Sequence, residues 1–539
     1  MNAQRMALNR RAFLKQAGIG AAGLGLLSFV PACRTTGRMT GAGKLPRSTP
    51  EAEGVSSAGI LAFLEAVRQS KHELHSFMLV RHGRVVAEGW WSPYGPEFRH
   101  SLYSLSKSFT STAVGFAVAE GRLRVDDRVV SFFPHDLPEQ VSEHLAALRV
   151  KDLLTMSVGN GKEPTITMVE QENWVKAFLG WPIPNPPGTQ FMYNSSATYM
   201  LSAIVQQVTG QKILDYLQAR LFELLGIHSA TWETCPRGIN VGGWGLSMQT
   251  EGLAKFGQLY LQKGAWQGRQ ILPPQWVEEA TTFKIQQPVP AKPSRPNDQN
   301  DWLQGYCYQF WRCRHNAFRG DGAFGQYMIV MPDQDAVVAV TAETSDMQGE
   351  LDLVWQLLLP AMKQQPLPRD PQSQAELGQT LSSLALTPPK GQSASPLAGR
   401  ISGKAFKLGS NELDMQNASF VFGKDGCRFT LKDSQHEYPI TCGVGQWQRG
   451  ETALPGTPPR LISGGAPRSG TPSKVAASGA WADPNTFQMV LRYYETPHHD
   501  TVTCRFDEGK VQISFMNSMA QMSPSPKDKR AVLKGQLVS

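Results

Sequence analysis

Hydrophobic and polar positions between residues 50 and 363 follow two rhythms. Runs of β-branched and aromatic residues predict strands, as in "HSFMLVRHGRVVAEGW", where two strands meet at His82-Gly83. Apolar residues three and four positions apart predict helices, as in the stretch that follows Ser104 and ends at Gly121. Two more strands in "FGQYMIVMPDQDAVVAVTAE" and a closing helix in "LDLVWQLLLPAM" complete the pattern. Strands from both ends of this segment, with helices between them, predict one α/β domain with an antiparallel sheet.

The composition changes after residue 363. Residues 364–396 are rich in Pro, Gln and Ser, which predicts a linker with one helical turn around Leu377. Beyond it apolar and polar residues alternate, as in "TVTCRFDEGKVQISF", so residues 397–539 are predicted to form a separate all-β domain of unassigned role. The run "PGTPPRLISGGAPRSGTPSK" within this domain is too rich in Gly, Pro and Ser to pack, and predicts a mobile loop.

The N-terminus carries the pattern of an export signal. Arg10 and Arg11 stand in "NRRAFLK" ahead of a Gly-rich apolar run, the twin-arginine arrangement of bacterial export. Cys33 follows "VPA" and resembles a lipoprotein cleavage site, so acylation of Cys33 and ordinary signal cleavage are two open alternatives. The prediction is a signal segment at 1–33, a linker at 34–49, and a mature chain in the periplasm or cell envelope. Only a lipid on Cys33 would tie it to a membrane.

Composition narrows the range of partners. The chain is 41% hydrophobic and 18% charged, as is usual for soluble globular proteins. Its net charge of +8 falls to +4 without the four basic residues of 1–32, and no basic run supports nucleic-acid binding. The six cysteines beyond Cys33 form no CxxC pair, which argues against zinc and thioredoxin-like sites. Cys427 and Cys442 would face each other in a hairpin, so a disulfide there and six buried thiols are both open.

The candidate chemistry begins at "SLSKSFTSTAVGFAVAEGRL", which sets Ser104 three residues before Lys107. On a helix these positions share one face, so an amine lies beside a hydroxyl without help from tertiary structure. Burial and the positive end of the helix dipole would both lower the pKa of the lysine, and a neutral amine can act as base. The backbone N–H of Ser104 would serve an oxyanion. By itself the spacing is better explained by an N-capping serine beside a solvated lysine.

Two later stretches favour a catalytic role for Ser104 and Lys107 over the N-capping interpretation. "PPGTQFMYNSSATYM" places Tyr193 and Ser195 in a turn before a helix, and "FRGDGAFGQYMIVMP" is a Gly-rich entry into a strand. With "LLTMSVG" and "GGWGLSMQTEGLAKFGQLYL", this order resembles the serine β-lactamase and penicillin-binding-protein superfamily. It is most similar to the class C-like branch that includes esterases and 6-aminohexanoate-dimer hydrolases. The resemblance spans about 50–362 and implies a β-lactamase-like fold, in which helices flank an antiparallel sheet beside an α-helical subdomain.

The resemblance also implies roles for single residues. Ser104 would be the acylated nucleophile, and Lys107 would share the proton transfers. Tyr193 matches a tyrosine whose phenolate acts as general base, so its pKa is expected to be depressed by a nearby ammonium. Ser195 would be a hydrogen-bonding proton shuttle. The backbone N–H groups of Ser104 and Ala323 would form the oxyanion hole.

The third motif departs from the antibiotic-binding members, which carry Lys or His, any residue, and then Gly. The matching triplet is Gly320-Asp321-Gly322, so the cation that would hold a substrate carboxylate is missing. Arg319 could replace it only if the register slipped by one residue. The two glycines would let the backbone approach the substrate closely.

The remaining candidates carry less weight. His498, His499 and Asp500 in "ETPHHDTV" form either a metal site or, with better support, a polar turn. Trp244, Trp302, Trp311 and Tyr306 line an acyl pocket or belong to the core. No metal or cofactor is expected. The predicted function is hydrolysis of small esters or amides through an acyl-enzyme on Ser104. The alternatives are a penicillin-binding D,D-peptidase or β-lactamase, and an inactive envelope binding module.

Overall fold

The computed structural model describes residues 43–462 and 472–538. The predicted signal segment with Cys33, most of the 34–49 linker, and residues 463–471 of the Gly/Pro/Ser-rich run lie outside the described residues. Across the described ranges, every helix is too short or too polar to span a bilayer.

The first part of the chain is built around an antiparallel sheet. The strands in this part of the chain are β1 Glu73–Arg81, β2 Arg84–Trp90, β3 His100–Ser101, β4 Thr231–Trp232, β5 Leu246–Met248, β6 Ala265–Trp266, β7 Arg269–Gln270, β8 Trp311–Arg312, β9 Phe318–Gly322, β10 Gln326–Met331 and β11 Ala336–Glu343. Six of them form the main sheet in the order β2-β1-β11-β10-β9-β8. The predicted strand pair around His82-Gly83 forms β1 and β2, and the pair around Pro332-Asp333 forms β10 and β11.

Helices cover both faces of this sheet. The α-helices of the described residues are α1 Ser57–Gln69, α2 Ser106–Ala119, α3 Glu143–Ala147, α4 Val150–Leu154, α5 Thr165–Met168, α6 Trp174–Leu179, α7 Ser195–Thr209, α8 Ile213–Leu217, α9 Glu223–Leu225, α10 Thr250–Leu261, α11 Pro274–Thr281, α12 Met347–Leu353, α13 Leu359–Ala361, α14 Pro371–Ser382, α15 Ala398–Ile401 and α16 Ser518–Gln521. Two π-helical turns, Gln218–Phe222 and Val354–Leu358, continue α8 and α12. Alternate residues of β1, β10 and β11 enter two separate cores, because successive side chains of a strand point to opposite faces. One core holds α2, α7 and α10, and the other holds α1 and α12.

The segment predicted as a linker is more ordered than its composition indicates. It contains the 12-residue helix α14, where one turn was predicted. The Asp370 side chain accepts a hydrogen bond from the Ser373 N–H, and Pro371 stands at the first helical position, so the N-terminus is well capped. Leu377 is buried in the core beside α1. This buried leucine fixes the segment to the sheet domain.

Residues 405–537 form the predicted all-β domain. The strands are β12 Ala405–Leu408, β13 Asn417–Phe422, β14 Gly426–Lys432, β15 Glu437–Val444, β16 Gln448–Thr452, β17 Ser473–Asp483, β18 Thr486–Arg492, β19 His499–Asp507, β20 Lys510–Asn517 and β21 Leu533–Leu537. Nine of these strands close into a barrel, because β15 pairs in parallel with β17, with Cys442 opposite Ala477. The tenth strand, β16, pairs antiparallel with β17. Buried and exposed positions alternate along β14 and β20, as the period of two predicts.

The cysteines of the described residues are buried free thiols. Cys427 and Cys442 do lie opposite each other on β14 and β15, as the hairpin prediction requires. Cys427 and Cys442 are therefore cross-strand neighbours that form no disulfide, and the alternative of buried free thiols is the one that the structure shows.

The barrel and the sheet domain belong to one compact unit, Ala42–Ser539. Arg492 of β18 donates two hydrogen bonds, of 2.5 and 2.8 Å, to the carboxylate of Glu73 on β1. The Ser101 N–H donates to the Glu495 carbonyl oxygen at 2.9 Å. These contacts place the barrel beside β3, the strand that leads into Ser104.

Candidate active site

Ser104 lies in a short 3-10 turn, Tyr103–Leu105, between strand β3 and helix α2. Helix α2 is central to the domain, and its residues from Ser106 to Ala117 are buried. Long side chains on a helix lean toward its N-terminus, so Lys107 in the first turn points back to Ser104. The local spacing that predicted this pair is therefore realised at the start of a rigid, buried helix.

Lys107 connects three parts of the chain. Its Nζ donates to Ser104 Oγ at 3.0 Å, to Ser195 Oγ at 3.0 Å and to the Gly243 carbonyl oxygen at 2.7 Å. The side chain is 2% exposed. Burial lowers the pKa of Lys107 from 10.5 to about 7, although the charges of Glu163 and Asp321 act in the opposite direction. A large fraction of the amine is therefore neutral at ordinary pH and can accept a proton.

Tyr193 and Ser195 enter from the start of helix α7, whose N-cap Asn194 accepts from the Ala197 N–H. Lys107 Nζ lies 4.8 Å from the centroid of the Tyr193 ring, and this ring stacks on Trp311 at 5.6 Å. The structure therefore brings together Ser104, Lys107, Tyr193 and Ser195, as the sequence motifs predict.

The protonation of Tyr193 differs from the expectation. Burial raises the pKa of the phenol well above its ordinary value, and a hydrogen bond with the Ser104 side chain opposes this only in part. The predicted lowering by an ammonium fails for a physical reason: the same burial that acts on Tyr193 also removes much of the charge of Lys107. The phenol therefore keeps its proton at ordinary pH and can donate a hydrogen bond, whereas the amine can accept a proton.

The third-motif glycines allow β9 to pass close to the nucleophile turn. A Cβ on Gly322 would lie 2.1 Å from the Leu102 carbonyl oxygen, and one on Gly320 would lie 2.7 Å from Ser108 Oγ. Any larger residue would therefore push the strand away. Ala323 follows directly, and Gln326 Nε2 donates to its carbonyl oxygen at 3.0 Å. The oxyanion role of the Ala323 and Ser104 N–H groups stays a prediction.

Arg319 does not replace the missing cation. It lies on the face of β9 opposite Gly320, since Ile329 pairs with Arg319 and Met328 with Gly320. Its guanidinium pairs with Asp321 at 3.0 Å. Two tryptophan rings, Trp302 and Trp311, flank the guanidinium at 4.5 and 5.4 Å from their centroids. Arg319 is therefore committed to its buried ion pair with Asp321 and offers no free cation to a substrate. The register of β9 and β10 is also not shifted by one residue.

The aromatic candidates divide into two groups. Tyr306 and Trp311 pack with Tyr193 and Trp302 in a small cluster beside the candidate site. Trp244 instead belongs to the large core, where it stacks on Trp174 at 5.9 Å. The first group can supply an apolar wall for an acyl chain, and Trp244 is core.

Two contributors were not predicted from the sequence. The Gly243 carbonyl accepts from Lys107, and a Cβ on Gly243 would lie 2.7 Å from the Ser195 carbonyl oxygen. The Glu163 carboxylate accepts from the Ser195 N–H at 3.0 Å and adds negative charge near Lys107. The glycines of "GGWG" are a sequence signal for a close backbone approach at Gly243. The residues around Glu163 carry no sequence signal for its role.

The predicted polar turn at His498, His499 and Asp500 does not present its three side chains together. Asp500 accepts from Arg530 Nη2 at 2.6 Å, whereas both histidines approach Glu343. Ligand atoms of Glu73, Glu343 and His499 do come within 4.8 Å of one another. Arg492 already pairs with Glu73 in this cluster. The polar-turn prediction is wrong for His499 and Asp500, because these residues begin strand β19 and His498 directly precedes it.

Comparison with known proteins gives one family. The sequence model named Beta-lactamase matches residues 67–361. A 6-aminohexanoate-dimer hydrolase of Paenarthrobacter ureafaciens is 24% identical over 292 residues, which is 50% of this chain and 73% of that protein. A putative D-alanyl-D-alanine carboxypeptidase of Escherichia coli K12 is 26% identical over 142 residues, 24% of this chain and 33% of that protein. A putative 6-aminohexanoate-dimer hydrolase from Bacillus anthracis superposes with a TM-score of 0.47 at 18% identity, covering 60% of this chain and 89% of that one.

Proposed function

Because the chain belongs to the beta-lactamase family, whose sequence model covers more than half of it, we propose that it hydrolyses small esters or amides through an acyl-enzyme on Ser104. One observation carries the proposal: Lys107 Nζ, buried and with a lowered pKa, hydrogen-bonds both Ser104 Oγ and Ser195 Oγ. A hydroxyl beside a neutral amine in a buried site is an activated nucleophile.

The proposed reaction has two halves. Ser104 Oγ attacks the substrate carbonyl while Lys107 takes up its proton, and the backbone N–H groups of Ser104 and Ala323 receive the oxyanion. The intermediate collapses, and the alcohol or amine leaves with a proton delivered through Ser195 or Tyr193. Water then attacks the acyl ester with Lys107 again as base, so that the acid is released and Ser104 regains its proton.

The substrate class follows from what surrounds the nucleophile. Gly320-Asp321-Gly322 offers no cation for the carboxylate of a β-lactam, and Arg319 is committed to Asp321. The aromatic side chains beside Tyr193 favour an apolar acyl group. The 6-aminohexanoate-dimer hydrolase relative supports an amide among the substrates. The penicillin-binding alternative is therefore less favoured. The inactive-module alternative is also less favoured, because it does not account for the hydrogen bond between the buried Lys107 and Ser104.

The proposal is tested by labelling and turnover with the purified full-length chain. A fluorophosphonate is expected to add one phosphonyl group to the peptide that contains Ser104, and p-nitrophenyl butyrate and a p-nitroanilide amide are expected to be hydrolysed. Labelling by a fluorescent penicillin at the same serine would favour the penicillin-binding alternative. Absence of both label and turnover would favour the inactive module.

Tyr193→Phe is expected to lower kcat for a p-nitroanilide amide by about 10²–10⁴-fold, because the phenol hydrogen-bonds the Ser104 side chain and can pass a proton to the leaving amine. The variant should stay folded, since the stacking of the ring on Trp311 is kept. Tyr199→Phe is the matched control, since it removes a buried phenol of α7 that hydrogen-bonds Cys235 Sγ at 3.4 Å, and it should leave kcat near the wild-type value. Steady-state kinetics with the p-nitroanilide on both variants measure the effect, and an unchanged kcat for Tyr193→Phe would refute the assigned role.

A further inference from the structure

The residue before the nucleophile has an unusual backbone. Tyr103 has a φ of 47°, in the left-handed region that side chains other than glycine rarely adopt. The Cβ of an L-residue disfavours this conformation, because it lies too close to the following carbonyl oxygen. It turns the chain from β3 into the 3-10 turn that carries Ser104, so something must hold it there.

The Tyr103 side chain contacts both the barrel and the end of β9, and its carbonyl oxygen accepts from Ser106 Oγ at 2.6 Å. The Tyr103 hydroxyl forms a hydrogen bond with Nε2 of His498, which is completely buried. The rings of Tyr103 and His498 meet edge-on at 5.7 Å, and Phe324 packs against both at 5.5 and 4.9 Å. Phe324 directly follows Ala323, so this packing connects the nucleophile turn with the end of β9.

Glu343 fixes the orientation of the histidine ring. His498 Nδ1 lies 2.7 Å from Glu343 Oε1, and Ser518 Oγ donates to the same oxygen. Although burial acts to raise it, hydrogen bonds from His498 and His499 lower the pKa of Glu343 to about 2. The carboxylate therefore stays ionised and accepts from Nδ1–H, which fixes the ring with Nε2 facing the Tyr103 hydroxyl.

We propose that the barrel completes the active site: His498 is a positioning residue that, oriented by Glu343, holds Tyr103 and thereby the turn that carries Ser104. This inference rests on the proposed function. Glu343 ends strand β11 of the sheet domain, whereas His498 and Ser518 belong to the barrel, so the chain of hydrogen bonds crosses between the domains. The β domain is thus assigned a role in catalysis, although it touches no reacting atom.

The test is a double-mutant cycle read as the rate of fluorophosphonate labelling of Ser104 and as kcat and KM for p-nitrophenyl butyrate. His498→Ala and Tyr103→Phe each remove the hydrogen bond but keep the strained backbone. Both are expected to lower the labelling rate and kcat by about 10- to 100-fold, with little change in KM, because small misplacements of a reacting group cost about this much.

Glycine adopts a positive φ without strain, so Tyr103→Gly should remove the need for His498. Adding His498→Ala to Tyr103→Gly is therefore expected to change the labelling rate less than twofold. Tyr493→Phe is the control: it removes a buried phenol that donates to Asp500 at 2.8 Å beside the same turn, and it should label at the wild-type rate.

Each failure has its own signature. A wild-type chain that takes up no label would refute the proposed function. Labelling of wild type together with wild-type rates for folded His498→Ala and Tyr103→Phe would overturn the positioning role. An equal loss from His498→Ala in the wild-type chain and in the Tyr103→Gly variant would also overturn it, because the effect would then not pass through Tyr103. Thermal unfolding of every variant identifies losses that come from misfolding.

Discussion

Ser104→Ala is expected to lower ester turnover by on the order of 10⁴–10⁶-fold, close to the uncatalysed rate. Alanine lacks the oxygen that forms the acyl ester, and Ser195 Oγ, which hydrogen-bonds the same Lys107 Nζ, belongs to another helix, α7. The fold should survive, since the half-buried Ser104 loses only its side-chain hydrogen bonds with Lys107 and Tyr193. Turnover of p-nitrophenyl butyrate and the mass of the phosphonylated peptide measure the effect.

Ser111→Ala is the matched control for this experiment. Ser111 lies on the same helix, is buried, and has an Oγ without a hydrogen-bond partner among the described residues. Removing an unsatisfied buried hydroxyl is expected to be neutral or slightly stabilising, with turnover unchanged. If Ser104→Ala hydrolysed the ester as fast as Ser111→Ala does, the acyl-enzyme on Ser104 would be wrong.

Sequence reasoning succeeded where chemistry depends on local spacing. Ser104 and Lys107 meet because three residues make almost one helical turn, whatever the rest of the chain does. The alternating pattern likewise predicted the barrel strands, since a strand with one buried face must repeat every second residue. The family resemblance supplied Tyr193 and Ser195, which no local rule connects to a serine so far away in the sequence.

Prediction from the sequence failed for properties that depend on how deeply a side chain is buried or on how the barrel packs against the sheet domain. The pKa of Tyr193 moves upward because its hydroxyl is buried, and depth cannot be read from a turn that looks half-exposed. His498 was assigned to a polar turn, but it directly precedes strand β19, and its contact with Tyr103 requires the barrel to dock on β11. The helix α14 was missed because Pro, Gln and Ser obscured a capped N-terminus and a single buried leucine.

Lys107→Met is expected to abolish most activity and at the same time to stabilise the fold. The methionine keeps a similar length without a charge, and loss of the general base costs about 10²–10⁴-fold in kcat. In the wild-type chain the folded state binds the lysine proton only below about pH 7, whereas the unfolded state binds it up to about pH 10.5. Unfolding therefore takes up a proton between these values, and this contribution makes the wild-type chain less stable as pH falls from about 10.5 to about 7.

Methionine has no such linkage, so the stability advantage of Lys107→Met should be largest at about pH 7 and below. The advantage should narrow by at most about 1.4 kcal/mol per pH unit as pH rises from 7 to 9. Urea unfolding of both proteins at pH 6, 7, 8 and 9 measures it, and Lys176→Met, on the exposed side of α6, is the substitution control, with turnover intact. A difference in unfolding free energy that does not change with pH would mean that Lys107 is not held neutral by burial, and the base of the proposed reaction would have to be another group.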